Sequence, residues 1–214
     1  MPTLRTQRLV LRPFRETDED AAMHFHSRED VVRYIPWTAR SREEVREAIG
    51  KYIAAQTLEQ DGDFLNFAVV ESASLQRDSD GDSDGDSDSD GLGGELIGQV
   101  VLMLPHAEQR HGEIGYVFAP EVQGRGYATE ACRAVLGWGF GEASLHRITA
   151  HIDARNTASA ALAERLGMRR EAHFVQNDWF KGEWTDELVY ALLAHEWTTD
   201  LASTSAPRPA GPTS

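Results

Sequence analysis

Apolar and polar positions alternate closely enough from Arg8 to Phe14 to predict an opening strand. Thr17 then stands where a helix cap is expected, with Asp20 at the third helical position. Ser41 to Glu44 reads S-R-E-E, a capping box that opens a second helix running to about Leu58. Strand patterns follow from Phe64 (FLNFAVVES), from Glu95 to Leu104, and from Gly112 to Phe118. A helix is expected from about Gly126 to Glu142, then the strand RITAHID. NTASAALAERLG reads as a helix closed by Gly167. MRREAHFV and ELVYALLAHEW supply two late strands. Strands and helices that alternate in this way predict an α+β or α/β sheet of six or seven strands.

Composition narrows the class. At 214 residues, with 41% hydrophobic and 26% charged positions, the chain suits one globular domain. The expected domain spans 1–197, with an Asp-rich insertion at 72–93 and a Pro-rich, disordered tail at 198–214. Arginines interrupt the apolar groups of MPTLRTQRLVLRPF, so no signal-peptide core can be drawn there, and no apolar run approaches the ~20 residues of a membrane span. Cys132 is the single cysteine, which excludes an intramolecular disulfide and a thiolate metal cluster. A cytoplasmic protein without membrane partners is expected.

The formal charge of −14 overstates the acidity of the body, because seven aspartates lie between Asp78 and Asp90. No basic stripe with interleaved aromatics is present, so direct nucleic-acid binding is not expected. Asp80, Asp82, Asp84 and Gly85 fit the first positions of a calcium loop, but the twelfth falls on Gly91 instead of Glu. The preferred reading of that segment is a solvated hairpin loop. Neither His24/His26 nor His146/His151 has the i, i+4 spacing of a helical zinc pair, and no metal is expected. Cys132 reads as a small packing residue.

The candidate chemistry centres on PEVQGRGYATEA, residues 120–131. Pro120 ends the strand, Gly124 and Gly126 permit left-handed angles, and the N–H groups near Gly124 to Ala128 fall at a helix start. Such a turn can hold an anion, with Arg125 at its rim. A triphosphate loop would need Lys-Ser/Thr after the glycine, and a dinucleotide fingerprint would need glycine where Thr129 stands. A glycine-rich turn without a ligand remains the plain alternative.

The combination with distant residues resembles the GNAT superfamily of N-acetyltransferases. Its Q-x-x-G-x-G/A signature matches Gln123, Gly124, Arg125, Gly126, Tyr127 and Ala128. NTASAALAERLGM, with Asn156, Ser159 and Leu166-Gly167-Met168, resembles the second acetyl-CoA element. TQRLVLRPFRETDEDAA and DELVYALLAHEW are similar to the branch that acetylates ribosomal-protein N-termini (RimJ/RimL type). The resemblance covers residues 3–197 apart from the insertion.

It implies the GNAT fold: a mixed, mostly antiparallel sheet of six to seven strands, about four helices, and a splayed strand pair holding acetyl-CoA. By the same resemblance the turn from Gln123 to Thr129 cradles the pyrophosphate. The backbone of Tyr116, Val117, Phe118 and Ala119 pairs with the pantetheine arm, and one N–H there faces the thioester carbonyl. Asn156 contacts the pantetheine or caps its own helix. Many members protonate the leaving thiolate with a tyrosine, but Ala163 stands at that position here, and Ser159 becomes the candidate.

Two carboxylates compete as base. Asp178 aligns with an acidic residue given that task in the branch, while Glu113 sits on the strand beside the thioester and is preferred for its rigid platform. The expected acceptor is a primary amine, either a protein N-terminus or a small molecule. An α-amine, with a pKa near ~7.7–8.0 against ~10.4 for lysine, needs only modest help from a base. A non-catalytic acyl-CoA-binding module is the alternative of another class. Trp179, Phe180 and Trp184 are read as core, as acceptor-pocket lining or as the face of a homodimer.

Overall fold

A computed structural model describes residues 1–72 and 94–197. The Asp-rich stretch, with its calcium-loop test, and the Pro-rich tail lie outside the described residues. Eight strands form one sheet in the order β1-β2-β3-β4-β5-β6-β8-β7. They are β1 (Leu4–Arg5), β2 (Leu9–Pro13), β3 (Asp63–Glu71), β4 (Leu96–His106), β5 (His111–Phe118), β6 (Arg147–Asp153), β7 (Arg169–Phe180) and β8 (Glu183–Leu193). All neighbours pair antiparallel except β5 and β6, which run parallel. The helices are α1 (Glu19–His26), the single turn α2 (Glu29–Val32), α3 (Arg42–Ala54), α4 (Tyr127–Phe140) and α5 (Thr157–Arg165).

The expected six or seven strands become eight because the two residues of β1 pair with β2. The first helix begins later than the Thr17 cap implies. Asp18 is buried and committed to a two-pronged ion pair with Arg12 (2.7 and 2.8 Å) and to the N–H of Arg15 (2.7 Å). That demand shapes residues 16–18 into a 3₁₀ turn, and α1 follows from Glu19. The capping box on α3 forms as read, with Ser41 Oγ accepting from Glu44 N–H and Glu44 Oε2 accepting from Ser41 N–H. The helix stops at Ala54, short of Leu58, because Ala55 is extended.

The two late strands are longer than their patterns suggest and form a hairpin. Its turn, Lys181-Gly182, is left-handed at both residues (φ 50° and 88°), the conformation that tight two-residue hairpins favour. The polar run Gln176-Asn177-Asp178 ended the first pattern at Val175. The chain instead absorbs it as a register shift between Phe174 and Asp178 and stays in the strand.

Two apolar layers hold the sheet. α4 packs on one face, where Trp138 meets Phe67 at 6.2 Å between ring centroids. α1 and α3 cover the other, where Tyr52 lies between Phe14 (5.1 Å) and Phe64 (6.4 Å). Residues 65–70 of β3 are all buried, as expected for a central strand covered on both faces.

Candidate active site

The parallel pair is the local peculiarity of the sheet. β5 and β6 are paired at His111↔Arg147, Gly112↔Ile148 and Glu113↔Thr149. Beyond Glu113 the pairing stops, although β5 runs on to Phe118 and β6 to Asp153. The strands therefore part into a notch, leaving the β6-facing edge of residues 114–118 without a strand partner. An extended arm with amide groups could add there as a strand would.

A cavity of about 300 Å³ opens at this notch. Its floor is one face of the sheet, because successive residues on a strand alternate sides and paired residues share a side. Asn66 and Phe64 of β3, Gln99 and Val101 of β4, and Glu113 of β5 all line it. The roof comes from Tyr34 to Trp37, between α2 and α3, and from Tyr52 of α3.

Roof and floor are joined through a buried histidine. His26 donates from Nε2 to Gln99 Oε1 (2.7 Å), and Arg40 donates to its Nδ1 (3.2 Å). Arg40 also donates to the Tyr52 hydroxyl (3.1 Å) and stacks 4.5 Å from the centre of the Trp37 ring. Burial depresses the His26 pKa to about 4, and the neighbouring Arg40 pushes it the same way against the Gln99 hydrogen bond. The imidazole is therefore neutral.

At the far end of β5, residues 120–122 form a 3₁₀ turn before α4. Gly124 and Gly126 both adopt left-handed angles (φ 76° and 79°), as the turn requires. The first helical bond runs from Glu130 N–H to Gly126 C=O. The N–H groups of Tyr127, Ala128 and Thr129 thus lie in the unpaired first turn, at the positive end of the helix dipole. A Cβ added at Gly124 would meet nothing within 4 Å, so space is open beside these donors. The turn fits a diphosphate held by backbone groups.

It is also held from behind. Arg8 bridges to Glu130 (2.7 Å), donates to Arg125 C=O (3.0 Å) and lies 4.5 Å from the centre of the Tyr127 ring. Tyr127 itself is buried, so its backbone, not its ring, is what faces outward at the turn.

Asn156 caps α5, its Oδ1 accepting from Ser159 N–H at 3.1 Å, and both residues line the cavity. The Tyr116 hydroxyl donates to Ser159 C=O (3.2 Å) and ties β5 to the first turn of α5. Burial keeps that phenol firmly protonated. Ala163 is buried, so the absent tyrosine leaves packed core and no gap.

Glu113 faces the cavity half-buried, and desolvation raises its carboxyl above the ordinary carboxylate range. Glu187 pushes the same way, and His151 opposes. Asp178 is not brought to this place. It is exposed on β7, opposite Thr185, and does not line the cavity. Trp179 and Trp184, more than half exposed, meet edge-to-face at 5.3 Å between ring centroids on the hairpin, and half-buried Phe180 is beside them; none of the three lines the cavity.

Sequence reading missed the roof and the floor. Tyr34, Trp37, Tyr52, Phe64 and Asn66 come from three separate segments. The aromatic cluster RYIPWT between the helices was the signal available.

Comparison with known proteins decides the family. The acetyltransferase (GNAT) domain matches residues 8–169. The chain belongs to the GNAT acetyltransferases. The uncharacterised N-acetyltransferase YnaD of Bacillus subtilis is 33% identical over 194 residues, covering 91% of this chain and 98% of YnaD. A GNAT-family acetyltransferase structure from Bacillus anthracis is 32% identical, with a TM-score of 0.73 over 91% of this chain and 100% of that one. The Vibrio cholerae spermidine N-acetyltransferase, solved with CoA and spermine, shares the fold: TM-score 0.70 at 22% identity, over 89% of this chain and 98% of its own. The GNAT acetyltransferases use acetyl-CoA as co-substrate, and the notch and the glycine turn fit its extended arm and its diphosphate. Among the described residues no cluster of His, Cys, Asp and Glu could hold a metal, and no helix is long and apolar enough to cross a membrane.

Proposed function

We propose that this N-acetyltransferase moves the acetyl group of acetyl-CoA to a primary amine by direct attack within a ternary complex. The observation that carries this reading is Glu113. It is the last rung paired to β6 before the strands part, and its carboxyl is held high at the wall of the cavity. Gln123 to Thr129 hold the diphosphate through backbone N–H groups, with Arg125 at the rim. Tyr116 to Ala119 pair with the pantetheine arm, and an N–H of that edge meets the thioester oxygen as negative charge develops there.

Glu113 takes a proton from the ammonium of the acceptor, directly or through one water. The freed nitrogen attacks the thioester carbon and an N–C bond forms; the nitrogen then loses its second proton to solvent as the tetrahedral intermediate collapses and the C–S bond breaks. The Ser159 hydroxyl, which has no hydrogen-bond partner among the described residues, gives its proton to the leaving thiolate and recovers one from solvent. Asn156 fixes the helix turn that presents Ser159. Cys132 supports direct transfer, since it is wholly buried and burial raises its thiol pKa further, leaving no route to an acyl-cysteine.

The cavity favours a small amine as acceptor. A protein N-terminal α-amine is the second reading, supported by the likeness to ribosomal-protein acetyltransferases and by an acidic chain suited to basic partners. The test is thiol release from acetyl-CoA against a panel of amines, with mass spectrometry of the products. Wild type is expected to give stoichiometric thiol and N-acetyl product, and Glu113→Gln to lose most of kcat. Equal rates for both proteins would remove Glu113 from the chemistry.

A further inference from the structure

Two residues that line the acceptor end of the cavity, Asn66 and Trp37, each carry a polar atom that the protein leaves unpaired. Asn66 Oδ1 on the floor and Trp37 Nε1 in the roof are buried and have no hydrogen-bond partner. Asn66 itself is only 3% exposed. A buried polar group without a partner is costly, so a pair of them on residues that line one cavity points to a molecule that satisfies both. Their senses are opposite: Asn66 Oδ1 needs a donor, and Trp37 Nε1 needs an acceptor. A single hydroxyl group is both.

The charges at this end restrict the molecule further. Arg40 is packed against Trp37 and Tyr52 and carries a fixed positive charge beside the roof. Glu113 and Asp153 are the carboxylates in the cavity wall, and Asp153 is engaged by Arg155 at 2.6 Å. A second ammonium on the acceptor would therefore find Arg40 and no free carboxylate. An anionic group gains no direct ion pair either, since Arg40 stands behind the rings of Trp37 and Tyr52 and, among the described residues, no lysine or arginine lines the cavity. The remaining wall is apolar and aromatic, with Tyr34, Trp37, Tyr52, Phe64, Val101 and Met103.

We propose that the acceptor is a small monoamine with an apolar, ring-bearing body and one neutral hydroxyl, the hydroxyl bridging Asn66 Oδ1 and Trp37 Nε1 while the amine faces Glu113. The inference rests on the transfer reading above for the identity of the reacting amine. It needs only the cavity for the recognition of the hydroxyl.

Tyramine and phenethylamine differ by that one hydroxyl, so they are the probes. Their binding to the CoA-saturated protein is measured by calorimetry, and their turnover with acetyl-CoA by thiol release, beside spermidine and a short peptide with a free N-terminus. Tyramine is expected to bind at least about ten-fold more tightly than phenethylamine, because the analogue leaves both buried atoms unpaired. Asn66→Leu and Trp37→Phe should each bring that ratio towards one, and having two variants guards against one that does not fold. Selective tyramine binding without thiol release would overturn the transfer reading and leave the pocket assignment standing. Equal binding of the two amines, a ratio untouched by both variants, or a preference for spermidine or the peptide would overturn the pocket assignment.

Discussion

The two ends of the notch are built by different means. The end proposed for the diphosphate is local: one turn of chain, two glycines at positive φ and the unpaired N–H groups of α4, braced by Arg8. The end proposed for the acceptor is distributed, with Trp37, Tyr52, Asn66, Gln99 and Glu113 arriving from five segments and meeting only when the sheet and its helices assemble. A site made of backbone donors depends little on side-chain identity beyond its glycines. A site made of converging side chains can change its ligand with single substitutions and keep the fold. The division suits a family that shares one co-substrate.

The sharpest way to break this division is Glu113→Gln. It should lower kcat by about 10²-fold or more, within the usual range for loss of a general base, and leave the KM for acetyl-CoA nearly unchanged. The pH profile checks the same residue. Because desolvation raises its carboxyl pKa, activity in wild type should rise with pH through a value above the ordinary carboxylate range and fall away below it. That limb should vanish in the amide variant.

Gly124→Ala tests the other end. No atom lies within 4 Å of the added Cβ, so the change acts through the left-handed backbone alone. A penalty of roughly 1 kcal/mol or more on that conformation should raise the KM for acetyl-CoA several-fold, to about ten-fold, with little change in kcat at saturation. A kcat loss with unchanged KM would show that the two ends are not separable.

Ser159→Ala should lower kcat by about ten-fold with either substrate saturating, a smaller effect because water can also protonate a thiolate. The smallest effect on turnover is expected at the brace between roof and floor, where the readout is stability instead. His26 has its pKa depressed from 6.5 to about 4, so the unfolded chain binds more protons between those values. Its contribution to stability is therefore full above about pH 6.5 and drains as pH falls towards 4, by a total on the order of 3 kcal/mol. Thermal melts over that range should show a shallower pH dependence in His26→Gln than in wild type.

The contrast also explains what the sequence made legible. The glycine turn could be read because Pro120, Gly124, Gly126 and the helix formers after them are contiguous, and each has a backbone reason for its place. Asn156 and Ser159 were legible for the same reason, at a helix start with a cap. Glu113 could be placed on its strand, but its raised carboxyl depends on the cover supplied by the rest of the fold. Asp178 is suggested by resemblance alone, and it stands exposed on β7 opposite Thr185. The late hairpin is longer than its pattern because a polar run inside a strand imitates a loop. Asn66 gave no signal, since one asparagine among buried strand residues acquires meaning only when its partner proves to be missing.

Direct transfer between the two ends is the central claim, and an initial-rate matrix that varies acetyl-CoA and amine together tests it most directly. A ternary complex predicts double-reciprocal lines that intersect. Parallel lines, with acetyl retained on the protein after gel filtration, would mean that a covalent acyl-enzyme carries the group instead.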